Sequence, residues 1–96
     1  MNTEDLKRLA EYMGYISVSD YNDEVYTREK DNIIRELKYN PLTNNDQMVE
    51  IMEKFKMSLD WDTEKFHWVV FSEGMWVDGK TINEAVTLAA IAAIKE

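Results

Sequence analysis

Ninety-six residues suit a single domain, and 45% apolar with 31% charged residues is the balance of a globular chain rather than a disordered one. Nineteen acidic against 11 basic residues leave a formal charge of -8, which argues against bare nucleic acid or an anionic membrane as a partner. Cysteine is absent, and with it any disulfide framework, thiolate metal site, Fe–S cluster or cysteine nucleophile.

Met1-Asn2-Thr3-Glu4-Asp5 is acidic where a signal peptide is basic. The longest apolar stretch, Ala85 to Ile94, is ten residues, too short for a bilayer. One domain over 1–96 and a cytoplasmic location are the expectations.

In chain order, Thr3 is a predicted N-cap, with Glu4 and Asp5 where the helix dipole favours acids. Leu6, Leu9, Ala10 and Met13 recur at helical spacing and Gly14 stops the run, giving a helix over 4–13. Tyr15 to Val18 alternates like an edge strand, and Asp20 to Glu24 has the composition of a loop. From there to Tyr39 two readings stay open. Val25 to Arg28 pairs with Ile33 to Tyr39 in a hairpin turning at Lys30-Asp31-Asn32, or Thr27 caps a helix carrying Ile33, Ile34 and Leu37 on one stripe. The β-branched content favours the hairpin.

Asn40 to Asn44 is a predicted turn, and Asn44 or Asn45 caps a helix over 45–56 with Met48, Ile51, Met52 and Phe55 as its core stripe. Met57, Leu59 and Trp61 alternate with polar residues as a strand with one wet face. Phe66 to Phe71 is apolar on both faces, as in a strand covered on both sides. Ser72-Glu73-Gly74 turns into a strand at Met75-Trp76-Val77. Thr81-Ile82-Asn83-Glu84 is a capping box opening a helix over 82–95. Ten of the thirteen residues from Ile82 to Ile94 are apolar and five of those are alanine, so this helix is expected to be buried on all sides. The sum is an α+β fold: a three-layer α/β/α sandwich with an antiparallel sheet of four to five strands and three helices. A homodimer burying the 82–95 helix is one expectation and a monomer the other.

Several features carry the letters of chemistry without its context. Gly74 to Thr81 matches G-x-x-x-x-G-K-[ST], but Met75, Trp76 and Val77 are bulky and β-prone where a phosphate loop folds tightly, so a strand and a helix cap are expected. His67 is the one histidine and sits in an aromatic strand, so a structural role is favoured over a catalytic base or a metal pair. No serine has a nucleophile elbow. Asp20, Asp23 and Glu24 lack the alternating acids and glycine of a calcium loop. Asp60, Asp62 and Glu64 alternate but lack the distal bidentate glutamate. No catalytic residue, metal ligand or cofactor is assigned.

Tyr39-Asn40-Pro41-Leu42-Thr43-Asn44, followed by the amphipathic Met48 to Phe55 ending in Glu53-Lys54-Phe55, is a turn and helix with a family likeness. The aromatic strands around Trp68 and Trp76 extend it. So do Gly79-Lys80-Thr81, Asn83-Glu84-Ala85 and the alanine-rich last helix. Together these resemble the bacteriophage and prophage α/β/α-sandwich domain family of unknown function, over 39–94 and more weakly in the helix ending at Gly14. The family's cysteine in the last helix has no counterpart here. The resemblance implies a phage origin, an α/β/α fold and no assigned chemistry, and it adds to the case for the hairpin.

A phage-encoded binding protein rather than an enzyme is therefore expected. Its concrete form is an inhibitor that occludes the basic surface of a host defence or nucleic-acid-handling protein. Carboxylates on rigid turns then imitate duplex phosphates. The partner-binding residues are Asp20, Asp23, Glu24, Asp60, Trp61, Asp62 and Glu64, with Tyr21 and Tyr26 as further aromatic anchors unless they are core. Two other readings stand beside it: an oligomeric nucleotide-signal sponge with a pocket lined by Trp68, Trp76 and Lys80, and a virion or regulatory component.

Overall fold

Within each sheet consecutive strands pair antiparallel in the computed structural model, which describes residues 3–28, 36–72 and 74–95, with the side chains of Ser17 and Glu36 left aside. The described residues hold three helices and two three-stranded sheets in an α+β arrangement. They cluster into two compact units, 1–40 and 41–96. The expected sheet of four to five strands is thus six strands in two sheets, because pairing stops at the Asn40-Pro41 boundary.

In the first unit, helix α1 (Thr3–Tyr12) buries Leu6, Leu9 and Ala10 against strands β1 (Ile16–Tyr21) and β2 (Glu24–Arg28). Thr3 lies inside the helix rather than capping it. The helix ends at Gly14 with φ 94°, the left-handed conformation glycine adopts without a Cβ penalty. Asp20, Tyr21 and Glu24 are strand residues, not loop. Only Asn22 and Asp23 turn, with φ of 51° and 61°, the two positive angles of a type I′ hairpin turn. Strand β3 (Glu36–Lys38) pairs with β2, Thr27 opposite Leu37, so hairpin pairing prevails over the helix at both ends. The expected turn at Lys30-Asp31-Asn32 lies outside the described residues. Val25 and Tyr39 are buried, and the Tyr39 and Tyr15 rings meet at 5.1 Å.

In the second unit, helix α2 (Asn45–Phe55) is capped by Asn44, whose side chain accepts the Gln47 N–H at 3.1 Å. Lys56 closes it in the left-handed region at φ 52°. Strands β4 (Ser58–Asp62), β5 (His67–Ser72) and β6 (Met75–Gly79) form a meander in chain order. The register places Leu59, Val70 and Val77 side by side, and Trp61, Trp68 and Gly79 in the next row of the same face. Helix α3 (Ile82–Ile94) packs against β5, β6 and α2, burying Ala85, Val86, Ala89, Ala90 and Ile91. Its alanines let the backbone approach closely, and Gly79 lies directly under Ala85. Asn83 ties the helix to the turn and start of α2, donating to the Pro41 carbonyl at 2.8 Å and to Asn45 Oδ1 at 3.1 Å.

Three expectations change here. Phe66 is not in the strand but in the β4–β5 turn at φ 56°, and it is 73% exposed. The strand after it is also not covered on both sides. Val70 and Ser72 are buried, but Trp76, across from Phe71, is 65% exposed. The aromatic residues of the other face pack on each other instead of under a helix, with the Phe71 and Trp76 rings 4.7 Å apart. Helix α3 in turn leaves Leu88 exposed and Ala92 to Ile94 half-buried.

Candidate functional site

Alternation along β4, β5 and β6 gathers Ser58, Asp60 and Asp62 from β4, His67, Val69 and Phe71 from β5, and Trp76 and Asp78 from β6 onto the face away from α3. Asp60, Val69 and Asp78 form one row, and Asp62 stands opposite His67. Between the acidic strand and Trp76 lies an open depression of about 230 Å³, lined by Asp60, Trp61, Asp62, Val69 and Trp76.

The two aspartates are held by local backbone. Asp60 Oδ1 accepts the Trp61 N–H at 2.8 Å. Asp62 Oδ1 accepts the N–H groups of Glu64 at 2.9 Å and Lys65 at 3.1 Å, which fixes the turn in the manner of an Asx motif. Among the described residues neither carboxylate has an ion-pair partner. Asp78 is different: Lys65 Nζ lies 3.5 Å from it.

Two of the three candidate acids of the first unit are paired within it. Asp20 pairs with Lys7 at 3.4 Å. Glu24 pairs with Lys38 at 3.1 Å and accepts the Tyr26 hydroxyl at 2.7 Å. The Tyr26 hydrogen bond first, then Lys38, holds the Glu24 carboxyl below its ordinary value near 4.5. Asp23 stands at the exposed hairpin turn and Tyr21 is 70% exposed. Of the seven residues expected to bind a partner, the structure brings Asp60, Trp61 and Asp62 into one depression, with Glu64 in the adjoining turn. Asp20, Asp23 and Glu24 belong to the β1–β2 hairpin of the other unit.

The sequence reading passed over Val69 and Asp78 as site residues and named Trp76 only for a nucleotide pocket with Trp68 and Lys80. The period-2 alternation of 75–79 was the available signal, since it sets Trp76 and Asp78 on one face. Trp68 and Trp76 occupy opposite faces, paired with Trp61 and Phe71 respectively, so they do not line one pocket. The phosphate-loop letters resolve into strand β6 and the cap of α3. Thr81 Oγ1 accepts the Glu84 N–H at 3.0 Å, and Glu84 Oε1 accepts from Lys80 N–H at 3.3 Å.

No group of three or more His, Asp or Glu side chains among the described residues is arranged to hold a metal ion. No helix among them is long and apolar enough to cross a membrane. No family model, curated protein or solved structure matches the chain.

Proposed function

We propose that this is a binding protein, encoded by a phage and acting in the cytoplasm of the infected cell. Its outer β4–β6 face covers a basic surface on a host defence or nucleic-acid-handling protein. The observation that supports this most is the depression beside Trp76, where Asp60 and Asp62 present carboxylates without ion-pair partners among the described residues. Unpaired acids around an exposed aromatic are what a cationic surface needs: charge for fast association, and an anchor to bury.

The α/β/α sandwich belongs to the same proposal, supported by α1 on the β1–β2 hairpin and α3 on the β4–β6 sheet. So does a homodimer contact through α3, for which exposed Leu88 is the starting point. The placement of Trp68 and Trp76 on opposite faces gives no support to a nucleotide pocket between them.

The test is capture from bacterial lysate at about 50 mM and about 300 mM salt, with the retained proteins identified by mass spectrometry. A stoichiometric nucleic-acid-handling partner should be held at low salt and released at high salt. The double variant Asp60→Asn, Asp62→Asn should lose it, and Glu24→Gln should keep it. Retention that ignores both salt and the double variant defeats the electrostatic reading.

A further inference from the structure

We infer that the depression beside Trp76 seats one arginine side chain of the partner, its guanidinium stacked on the indole and bound by Asp60 and Asp62. This rests on the binding reading above and gives it a recognition chemistry.

Size comes first. At about 230 Å³ the depression is smaller than the roughly 300 Å³ at which small-molecule pockets begin. It suits a single long side chain rather than a nucleotide. Its lining decides the chemistry. Trp76 offers a broad π surface that is 65% exposed yet steadied on one side by Phe71. Tryptophan is the best aromatic partner for a cation. Val69 gives an apolar floor for the methylene stem, while the two aspartates stand at the β4 side.

The aspartates are also pre-organised. Each uses Oδ1 to hold its own backbone, which orients the carboxylate before any partner arrives. Lys7, Lys38 and Lys65 engage Asp20, Glu24 and Asp78, the last on this same face. A cation from outside would complete the same pattern at Asp60 and Asp62. Arginine fits better than lysine because its planar, weakly hydrated guanidinium stacks on an aromatic face and still donates sideways to carboxylates.

The experiment is an NMR titration of the isotope-labelled full chain with three capped tripeptides, Gly-Arg-Gly, Gly-Lys-Gly and Gly-citrulline-Gly. The Trp76 indole N–H signal is identified by its loss in Trp76→Phe. The arginine peptide should shift that signal and the amides of residues 60–62, with binding that weakens as salt rises. Citrulline keeps the shape and loses the charge, so it should bind about tenfold more weakly or worse. Asp60→Asn with Asp62→Asn, which retains both Oδ1 acceptors, should weaken the arginine peptide about fivefold or more.

Equal binding of citrulline or lysine would overturn the inference, as would shifts centred on Asp20 and Glu24. An arginine peptide that leaves Trp76 unmoved, while the protein still captures a salt-sensitive basic partner, removes the arginine seat and leaves the occlusion reading standing. Arginine-peptide shifts at Trp76 with no captured partner keep the seat and remove the occlusion reading.

Discussion

A methyl group placed on Gly79 would come within 2.7 Å of the Ala85 Cα, so helix α3 rests on the sheet at a point where no side chain fits. The obstacle is helix backbone rather than the far end of a flexible side chain. Gly79→Ala is expected to destabilise the protein by about 1–3 kcal/mol or more, by forcing α3 away from β6. Gly74 is the contrasting case. A methyl there meets nothing within 4 Å, but φ is 80°. Gly74→Ala should cost only the left-handed strain, about 1 kcal/mol. Urea unfolding of both variants checks the order, and a costlier Gly74→Ala would contradict it.

Thr87 is fully buried in α3, and its hydroxyl has no hydrogen-bond partner among the described residues. Thr27 in β2 is in the same position. A buried unsatisfied hydroxyl is a cost that valine, of the same shape, removes. Thr87→Val and Thr27→Val should each leave stability unchanged or raise it by up to about 1 kcal/mol. A fall in the urea midpoint of either variant would reveal a partner for that hydroxyl.

Glu24 has a folded-state pKa below its ordinary value, so its contribution is present above about pH 4.5 and is lost as the pH falls through the folded value. Glu24→Gln keeps an acceptor for the Tyr26 hydroxyl but loses the attraction of Lys38. The variant should melt below the parent at pH 7, and the two curves should converge as the pH drops below 4.5. A gap that stays constant with pH would rule out this linkage.

Helix starts give a fourth set of expectations. Asn44→Ala and Thr81→Ala each remove the side-chain acceptor of a first-turn helix N–H and should each cost about 1 kcal/mol. Asp62→Ala should likewise loosen the β4–β5 turn, whereas Asp62→Asn should not, because the amide oxygen still accepts from Glu64 and Lys65. Thermal melts of the two Asp62 variants decide whether the turn or the charge matters for folding.

Local signals were readable in the sequence. Asn44, Thr81 with Glu84, and Gly14 mark helix ends through contacts three or four residues away, and the helices they bound appear within a residue or so of their expected limits. Strand type was legible at 57–61 and 75–77 from alternation. What escaped depends on pairing across the chain. Lys7 is 13 residues from Asp20, and Lys65 is 13 residues from Asp78, so composition counted those acids as free while the fold pairs them. Phe71 reads as part of a strand covered on both sides, and Trp76 as a strand residue with no assigned face. Only the register shows that they stack on the face away from α3. The loop expected at 20–24 failed for a related reason: two residues able to adopt positive φ suffice for the reversal, and the polar residues around them are strand.

In both sheets the strand order follows the chain order. Each strand therefore finds its neighbour across the next short connection, and no pairing waits on the closure of a long loop. Chains of this kind cross a low entropic barrier and fold quickly, on the order of milliseconds for a mixed α/β domain. Little time is then spent with unpaired strand edges exposed to other copies of the chain during synthesis.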